Sequence, residues 1–224
     1  MELTKHRIFT LCWITSLTFL GGATNISAIM LFETTITHHT GNISKAAIAL
    51  ASGNFALFGM LFSYLGLFSL GSVIAGFLFY KRVRHLKDLY TLLPVLLGLS
   101  LWLTMRLTSS KEIILLVISF GMGLQNGTYF KVRGIMVRTT HMTGYLTDAA
   151  FSLGAVLKGN HHELWKVLWY FSSILVFFVG GMIATWIVIL SGNTVLDLIA
   201  GAYVALGLFV YLFNPQLNHN WFAR

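Results

Sequence analysis

Six stretches of this chain carry no charged residue: 8–32, 46–80, 89–105, 113–130, 167–196 and 198–217. Each is a near-continuous apolar run, with neither the alternation of a half-buried strand nor the polar stripe of a soluble amphipathic helix. Four reach 20 residues or more, and the third and fourth are close to the lower limit for crossing a bilayer as a helix. The pattern predicts an all-α membrane protein with six transmembrane helices. The 46–80 run is long enough for two elements. It predicts a short helix ending near Gly53-Asn54 and a span from about Phe55. Ser191-Gly192-Asn193 marks the turn between the last two spans. Thr194 to Asp197 and Ser109 to Glu112 read as capping boxes that start spans six and four.

Composition agrees. Of 224 residues, 56% are hydrophobic and 10% charged, and the mean hydropathy is +0.77. Soluble domains carry about 25% charged residues. The net charge of +8 would suit nucleic acid if it were clustered on a soluble surface. Instead, with the N-terminus inside, the inner segments hold Lys5, Arg7, Lys81, Arg82, Arg84, Lys87, Lys131, Arg133, Arg138, Lys158, Lys166 and Arg224, against Lys45, Arg106 and Lys111 outside. That bias predicts cytoplasmic termini and a multi-pass protein of the inner membrane, with the lipid bilayer as partner and no nucleic acid. The basic run from Lys81 to Lys87 is expected at anionic headgroups. Lys5-His6-Arg7 before an apolar run resembles a signal peptide, but the first span belongs to an internal repeat and is expected to be retained. The lone Cys12 excludes an internal disulfide.

The repeat appears when the chain is laid over itself. Thr37-His38-His39-Thr40-Gly41 matches Thr140-His141-Met142-Thr143-Gly144 at four of five positions. Upstream, Gly22-Ala23-Thr24-Asn25 lies over Gly123-Leu124-Gln125-Asn126, and downstream Gly71 to Gly76 lies over Gly180 to Thr185. The chain is therefore read as a single membrane domain, 1–224, with repeat one at about 8–105 and repeat two at about 110–214. Three spans per repeat force the halves into opposite orientations, so the fold is expected to be two inverted three-helix repeats, as in secondary transporters.

The same residues resemble a family. Gly21-Gly22-Ala23-Thr24-Asn25, His39-Thr40-Gly41-Asn42, Gly121-Met122-Gly123-Leu124-Gln125-Asn126 and Thr139-Thr140-His141-Met142-Thr143-Gly144 resemble the YoaK-like bacterial membrane proteins, defined by domain of unknown function 1275. The resemblance covers nearly the whole chain and implies a six-span inner-membrane protein. It differs at Asn25, where family members usually carry aspartate, so a proton or cation carrier is not implied there.

The candidate residues follow from the repeat. Gly21, Gly22, Gly121 and Gly123 interrupt apolar helices. They serve either close helix packing or local helix breaks that free backbone groups for a ligand. Asn25, Gln125 and Asn126 place carboxamides inside the membrane, where they must find partners. They are candidates for binding a neutral or zwitterionic solute, or for interhelical hydrogen bonding. Thr40, Gly41 and Asn42, with Thr143 and Gly144, are gate candidates, the threonines also being placed to cap the helices that follow. His38 and His141 are candidates for sensing pH. His38-His39 has poor chelating geometry and no third ligand beyond Glu33, so no metal site is expected. Asp148 could pair with a nearby arginine at the inner gate. The spacings Gly71 to Ala75, Gly180 to Ala184 and Gly201 to Ala205 predict close packing within the bundle or between subunits of a homo-oligomer. No phosphate loop, nucleophile elbow or zinc-helix motif is present, so neither an enzyme nor a cofactor is expected. The reading that results is a secondary transporter or facilitator of a small solute working by alternating access. The alternative is a non-transporting subunit that binds a protein partner.

Overall fold

The computed structural model describes residues 2–80, 87–128 and 130–213. The basic run Lys81, Arg82 and Arg84, and Arg224, lie outside the described residues, as do the side chains of Lys5, Arg7, Lys87 and Lys131. The described chain folds into eight α-helices: α1 (Glu2–Phe32), α2 (His39–Ala51), α3 (Phe55–Phe79), α4 (Lys87–Leu107), α5 (Lys111–Gly127), α6 (Met142–Leu157), α7 (Leu164–Ser191) and α8 (Thr194–Phe213). A two-stranded hairpin, β1 (Phe130–Val132) and β2 (Ile135–Val137), lies between α5 and α6. A 3₁₀ turn, His161–Glu163, precedes α7.

Five helical segments are long and apolar enough to cross a membrane: Phe9–Phe32, Phe55–Phe79, Leu89–Leu107, His161–Ser191 and Thr194–Phe213. The protein is thus a helical, multi-pass membrane protein. The split of the 46–80 run falls where the sequence places it. Gly53 takes a positive φ of 74°, and Asn54 caps α3 by accepting from Leu57 N.

The 113–130 stretch departs from expectation. Its helix, α5, has 17 residues and ends at Gly127. At 1.5 Å per residue it is about 26 Å long, against a hydrocarbon core of about 30 Å. The chain then turns into the hairpin, whose tight turn places Arg133 and Gly134 at φ 46° and 90°. Both residues at positive φ is the hairpin turn that fits strand twist. The hairpin pairs Phe130 with Val137, both buried. Phe130 packs edge-on against Trp13 at 5.0 Å between ring centroids, and Trp13 in turn meets Tyr90 at 5.4 Å.

The helices pair in a reciprocal pattern. α1 packs on α7 and α3 on α5; α2 packs on α3 and α6 on α7; α1 touches α8, α5 touches α4, and α4 packs along α8. Glycines set the closest crossings. A Cβ at Gly22 would collide with the Phe177 carbonyl, and one at Gly180 with the Phe19 carbonyl. A Cβ at Gly71 would collide with the Phe120 carbonyl, and one at Gly123 with the Phe68 carbonyl. In the third pairing Gly98 faces the Ala200 carbonyl and Val204, while Gly207 faces the Thr91 carbonyl and Val95. Small residues let backbones approach this closely inside a membrane.

Two sequence expectations are corrected at the helix ends. Asp197 does not close a capping box on Thr194; its carboxylate pairs with Arg106 at the end of α4, and the Thr194 hydroxyl donates to the Ser191 carbonyl. The start of α5 is capped by Ser110 rather than Ser109. Its Oγ accepts from Ile113 N and donates to Glu112, 2.8 Å away.

Candidate functional site

The helix-break candidates are not breaks. α1 stays helical through Gly21 and Gly22, and α5 through Gly121 and Gly123. The continuous helical ladder satisfies those backbones, and Gly22 and Gly123 serve the close crossings instead. The interruption comes later. α1 ends at Phe32, where Glu33 adopts a positive φ of 56°. The chain then doubles back so that α2 begins beside α3, with the His39 ring 4.0 Å from that of Phe68.

Asn25 holds this returning segment. Its Oδ1 accepts from Ile36 N at 3.3 Å, Thr37 N at 3.2 Å and Thr37 Oγ1 at 2.9 Å. Asn126 does the same work one repeat later. Its Oδ1 accepts from Thr140 N at 3.0 Å, and its Nδ2 donates to Thr140 Oγ1. A second pair of locks lies just downstream. Asn42 Nδ2 donates to the Thr35 carbonyl at 2.7 Å, and the Tyr145 hydroxyl accepts from Arg138 N at 2.7 Å. The carboxamides predicted as solute ligands therefore pin the entries to α2 and α6.

Gln125 serves as a different junction. Nε2 donates to the Leu17 carbonyl at 3.0 Å and to Thr139 Oγ1 at 2.8 Å, while Oε1 accepts from the Tyr203 hydroxyl at 2.7 Å. It ties α5 to α1, to α8 and to the approach to α6, and both Gln125 and Tyr203 are buried. Gly21 lies beside this junction and makes room for Thr140, whose Cγ2 a Cβ there would meet at 2.6 Å. Thr139 and Tyr203 were not singled out from sequence. A buried tyrosine in an apolar span needs a hydroxyl partner, and that signal alone would have marked Tyr203.

The gate candidates surround the helix starts. His38 and His141 occupy the cap positions of α2 and α6, and neither makes a side-chain capping bond. Thr40 and Thr143 lie inside the first turns rather than capping them, which corrects the sequence expectation. Gly41 and Gly144 accommodate the rings of His38 and His141, which fold over the first turn of each helix. Each helix start thus presents amide N–H groups without a side-chain acceptor, the partly positive end of its dipole. Burial, with His38 adding to it, pushes the His39 imidazole down to about 4, so it is neutral at physiological pH. Neither buried ring nitrogen makes a well-formed hydrogen bond, although the Ile36 backbone lies near enough to work against that shift. Burial pushes the Tyr145 phenol up to about 12.

Other predicted residues are not drawn in. Among the described residues the ion pairs are Arg106–Asp197 and Lys166–Glu163, so Asp148 is in neither. Arg138 instead donates to the Asn126 carbonyl at 2.7 Å, and Arg133 lies over the Trp165 ring at 5.4 Å. Among the described residues no group of three His, Cys, Asp or Glu side chains could hold a metal ion.

Comparison with known proteins bears on this arrangement through one finding. The family model described as protein of unknown function (DUF1275) matches residues 13–210. The chain belongs to that family. Its match spans both asparagine clamps and all three glycine crossings. No curated protein and no solved structure matches the chain.

Proposed function

We propose that this DUF1275 chain is a secondary transporter or facilitator of a small neutral or zwitterionic solute, not an enzyme. It works by alternating access between two inverted halves of three spans each, with α5 as the sixth span. The observation that carries the reading is the reciprocal clamp: Asn25 on Thr37 and Asn126 on Thr140. The glycine crossings Gly22–Phe177 and Gly123–Phe68 support it, since each is the other's counterpart in the repeat. Transporters of this design place broken helical elements at the interface of the halves. Here α2 and α6 are the broken elements. Their uncapped first turns suit the carboxylate of a zwitterion, and His39, whose ring makes no well-formed hydrogen bond, suits a hydrogen-bonding group. Basic residues concentrated between the spans on one side support a bacterial inner-membrane protein with cytoplasmic termini.

The test is thermal stability of the purified protein against sugars, amino acids, nucleosides and organic ions, followed by flux into liposomes for any hit. A ligand at 100 times its Kd adds about 2.7 kcal/mol. A solute that stabilises wild type, and fails to stabilise a folded Asn126→Ala variant, supports the transporter. A second reading, a membrane subunit that binds a protein partner, draws on Gln125, whose amide is wholly engaged within the chain. An absence of hits and of flux with well-folded protein favours it.

A further inference from the structure

A groove of about 680 Å³ runs along the membrane-facing side of α4 and α8. Its floor and walls are apolar, with Leu99, Trp102, Gly201 and Ala205 among its lining, and one end carries Arg106 and Asp197. The groove exists because α8 is small where its partner is large. Gly98 meets Ala200 and Val204 just as Gly207 meets Thr91 and Val95, so positions 109 apart are equivalent: Gly98 and Gly207, Thr91 and Ala200, Val95 and Val204. At that spacing Gly201 and Ala205 correspond to Leu92 and Leu96. Nothing lies within 4 Å of a Cβ built on Gly201.

The charged end is equally specific. The Arg106 guanidinium spends one N–H on Asp197 and lies over the Trp102 ring, 5.7 Å from its centroid. The pair is accessible, with side-chain exposures of 54% and 30%. A guanidinium keeps further donors for phosphate oxygens, and the Asp197 carboxylate keeps lone pairs for an ammonium group. From Asp197 the lining reaches Leu208, eleven residues on, or about 16 Å along a helix. One leaflet of hydrocarbon is about 15 Å deep, half of a core of about 30 Å.

We propose that this groove binds one aminophospholipid, with an acyl chain along Gly201 and Ala205, its phosphate on Arg106 and its primary ammonium on Asp197. The lipid comes from the leaflet at which α4 ends and α8 begins. The site is separate from the helix starts that the transport reading invokes, so it stands or falls independently.

The experiment uses full-length protein in detergent with added phosphatidylethanolamine or phosphatidylcholine, read by native mass spectrometry and by Tm. Wild type retains one phosphatidylethanolamine and its Tm rises with that lipid. Gly201→Leu and Ala205→Leu, which fill the groove, lose the retained lipid at least tenfold and lose the Tm rise. Gly66→Leu, at an equally open glycine on α3, behaves as wild type. Asp197→Asn keeps a phospholipid but no longer prefers phosphatidylethanolamine over phosphatidylcholine. Should Gly201→Leu fail to fold, Ala205→Leu decides. Undiminished retention in a folded groove-filling variant overturns the site, and equal retention of the two lipids by wild type overturns the ammonium contact.

Discussion

The connection from α1 to α2 and the connection from α5 to α6 solve one problem in two ways. Both bring the chain back against the helix it has just left, and both fix the return by an asparagine on a threonine. After Asn25, however, α1 continues to Phe32, and the return takes the short segment 33–38. After Asn126, α5 stops at Gly127 and the hairpin follows. The hairpin buries Phe130 and Val137, and Phe130 is locked against Trp13. The six-residue counterpart buries Ile36 and leaves Glu33 and His38 exposed, while the longer hairpin buries two side chains and leaves Arg133 and Met136 exposed. The clamp is thus common to both ends, and the cover differs.

The largest effects should come from what the two halves share. Gly22→Leu and Gly123→Leu drive a side chain into a backbone carbonyl of the facing helix. Overpacking costs about 1–3 kcal/mol and occasionally more, and backbone cannot move aside as a side chain can. Both variants should lose monodisperse protein on size-exclusion chromatography in detergent. Gly59→Leu, where nothing lies within 4 Å, should change stability by no more than about 1 kcal/mol. If only one of the two buried variants collapsed, the crossings would not be equivalent.

The next effect should separate the halves. Tyr203→Phe leaves the buried Gln125 Oε1 without its donor, a loss of about 1–3 kcal/mol. The place corresponding to Gln125 holds Thr24, whose hydroxyl donates to Leu20 in its own helix and lies beside the Tyr203 hydroxyl. Thr24→Val removes a hydroxyl whose acceptor keeps its helical N–H partner, and should cost less, about 0.5–1.5 kcal/mol. Chemical or thermal denaturation of both variants ranks them, and a larger loss for Thr24→Val would displace Gln125 as the junction. Smaller again is the contrast between the clamps themselves. Asn25→Ala should raise amide exchange across 34–38 more than Asn126→Ala raises it across 139–141. Each return keeps its second lock, Asn42 on Thr35 or Tyr145 on Arg138, but only the second also keeps the hairpin seated on Trp13, and hydrogen exchange by mass spectrometry measures both.

Much of this was legible in the sequence, because apolar runs without charge have few fates in a bilayer. The boundary at Gly53-Asn54 and the matched Thr-Gly segments needed only turn chemistry and self-comparison. The hairpin was not legible. Thr128 to Phe130 continues the apolar run, and what ends the helix is a tertiary arrangement, Phe130 seated on Trp13 and Arg138 drawn to the Asn126 carbonyl. Asp197 misled for a related reason. A carboxylate three residues into a helix fits a capping box, and only the packing of α4 along α8 brings Arg106 within reach. The carboxamides were found by composition, but their partners lie on returning segments whose path no periodicity encodes.

The finest distinction lies in the first residues of α2 and α6, where His39 stands in one half and Met142 in the other. Burial holds the His39 imidazole at about 4, below its ordinary 6.5. The unfolded chain therefore binds a proton at His39 over a pH range in which the fold refuses it. This contribution to stability is complete above about pH 6.5 and is lost progressively as pH falls from there towards 4. Met142 has no charge to change. His39→Met makes the first helix start resemble the second, and should flatten this part of the acid limb of a stability-against-pH curve measured by thermal unfolding. His38→Gln, at the exposed neighbouring ring, provides the comparison. A curve for His39→Met that still falls as steeply between pH 6.5 and 4 would mean that the acid sensitivity of this end comes from another group.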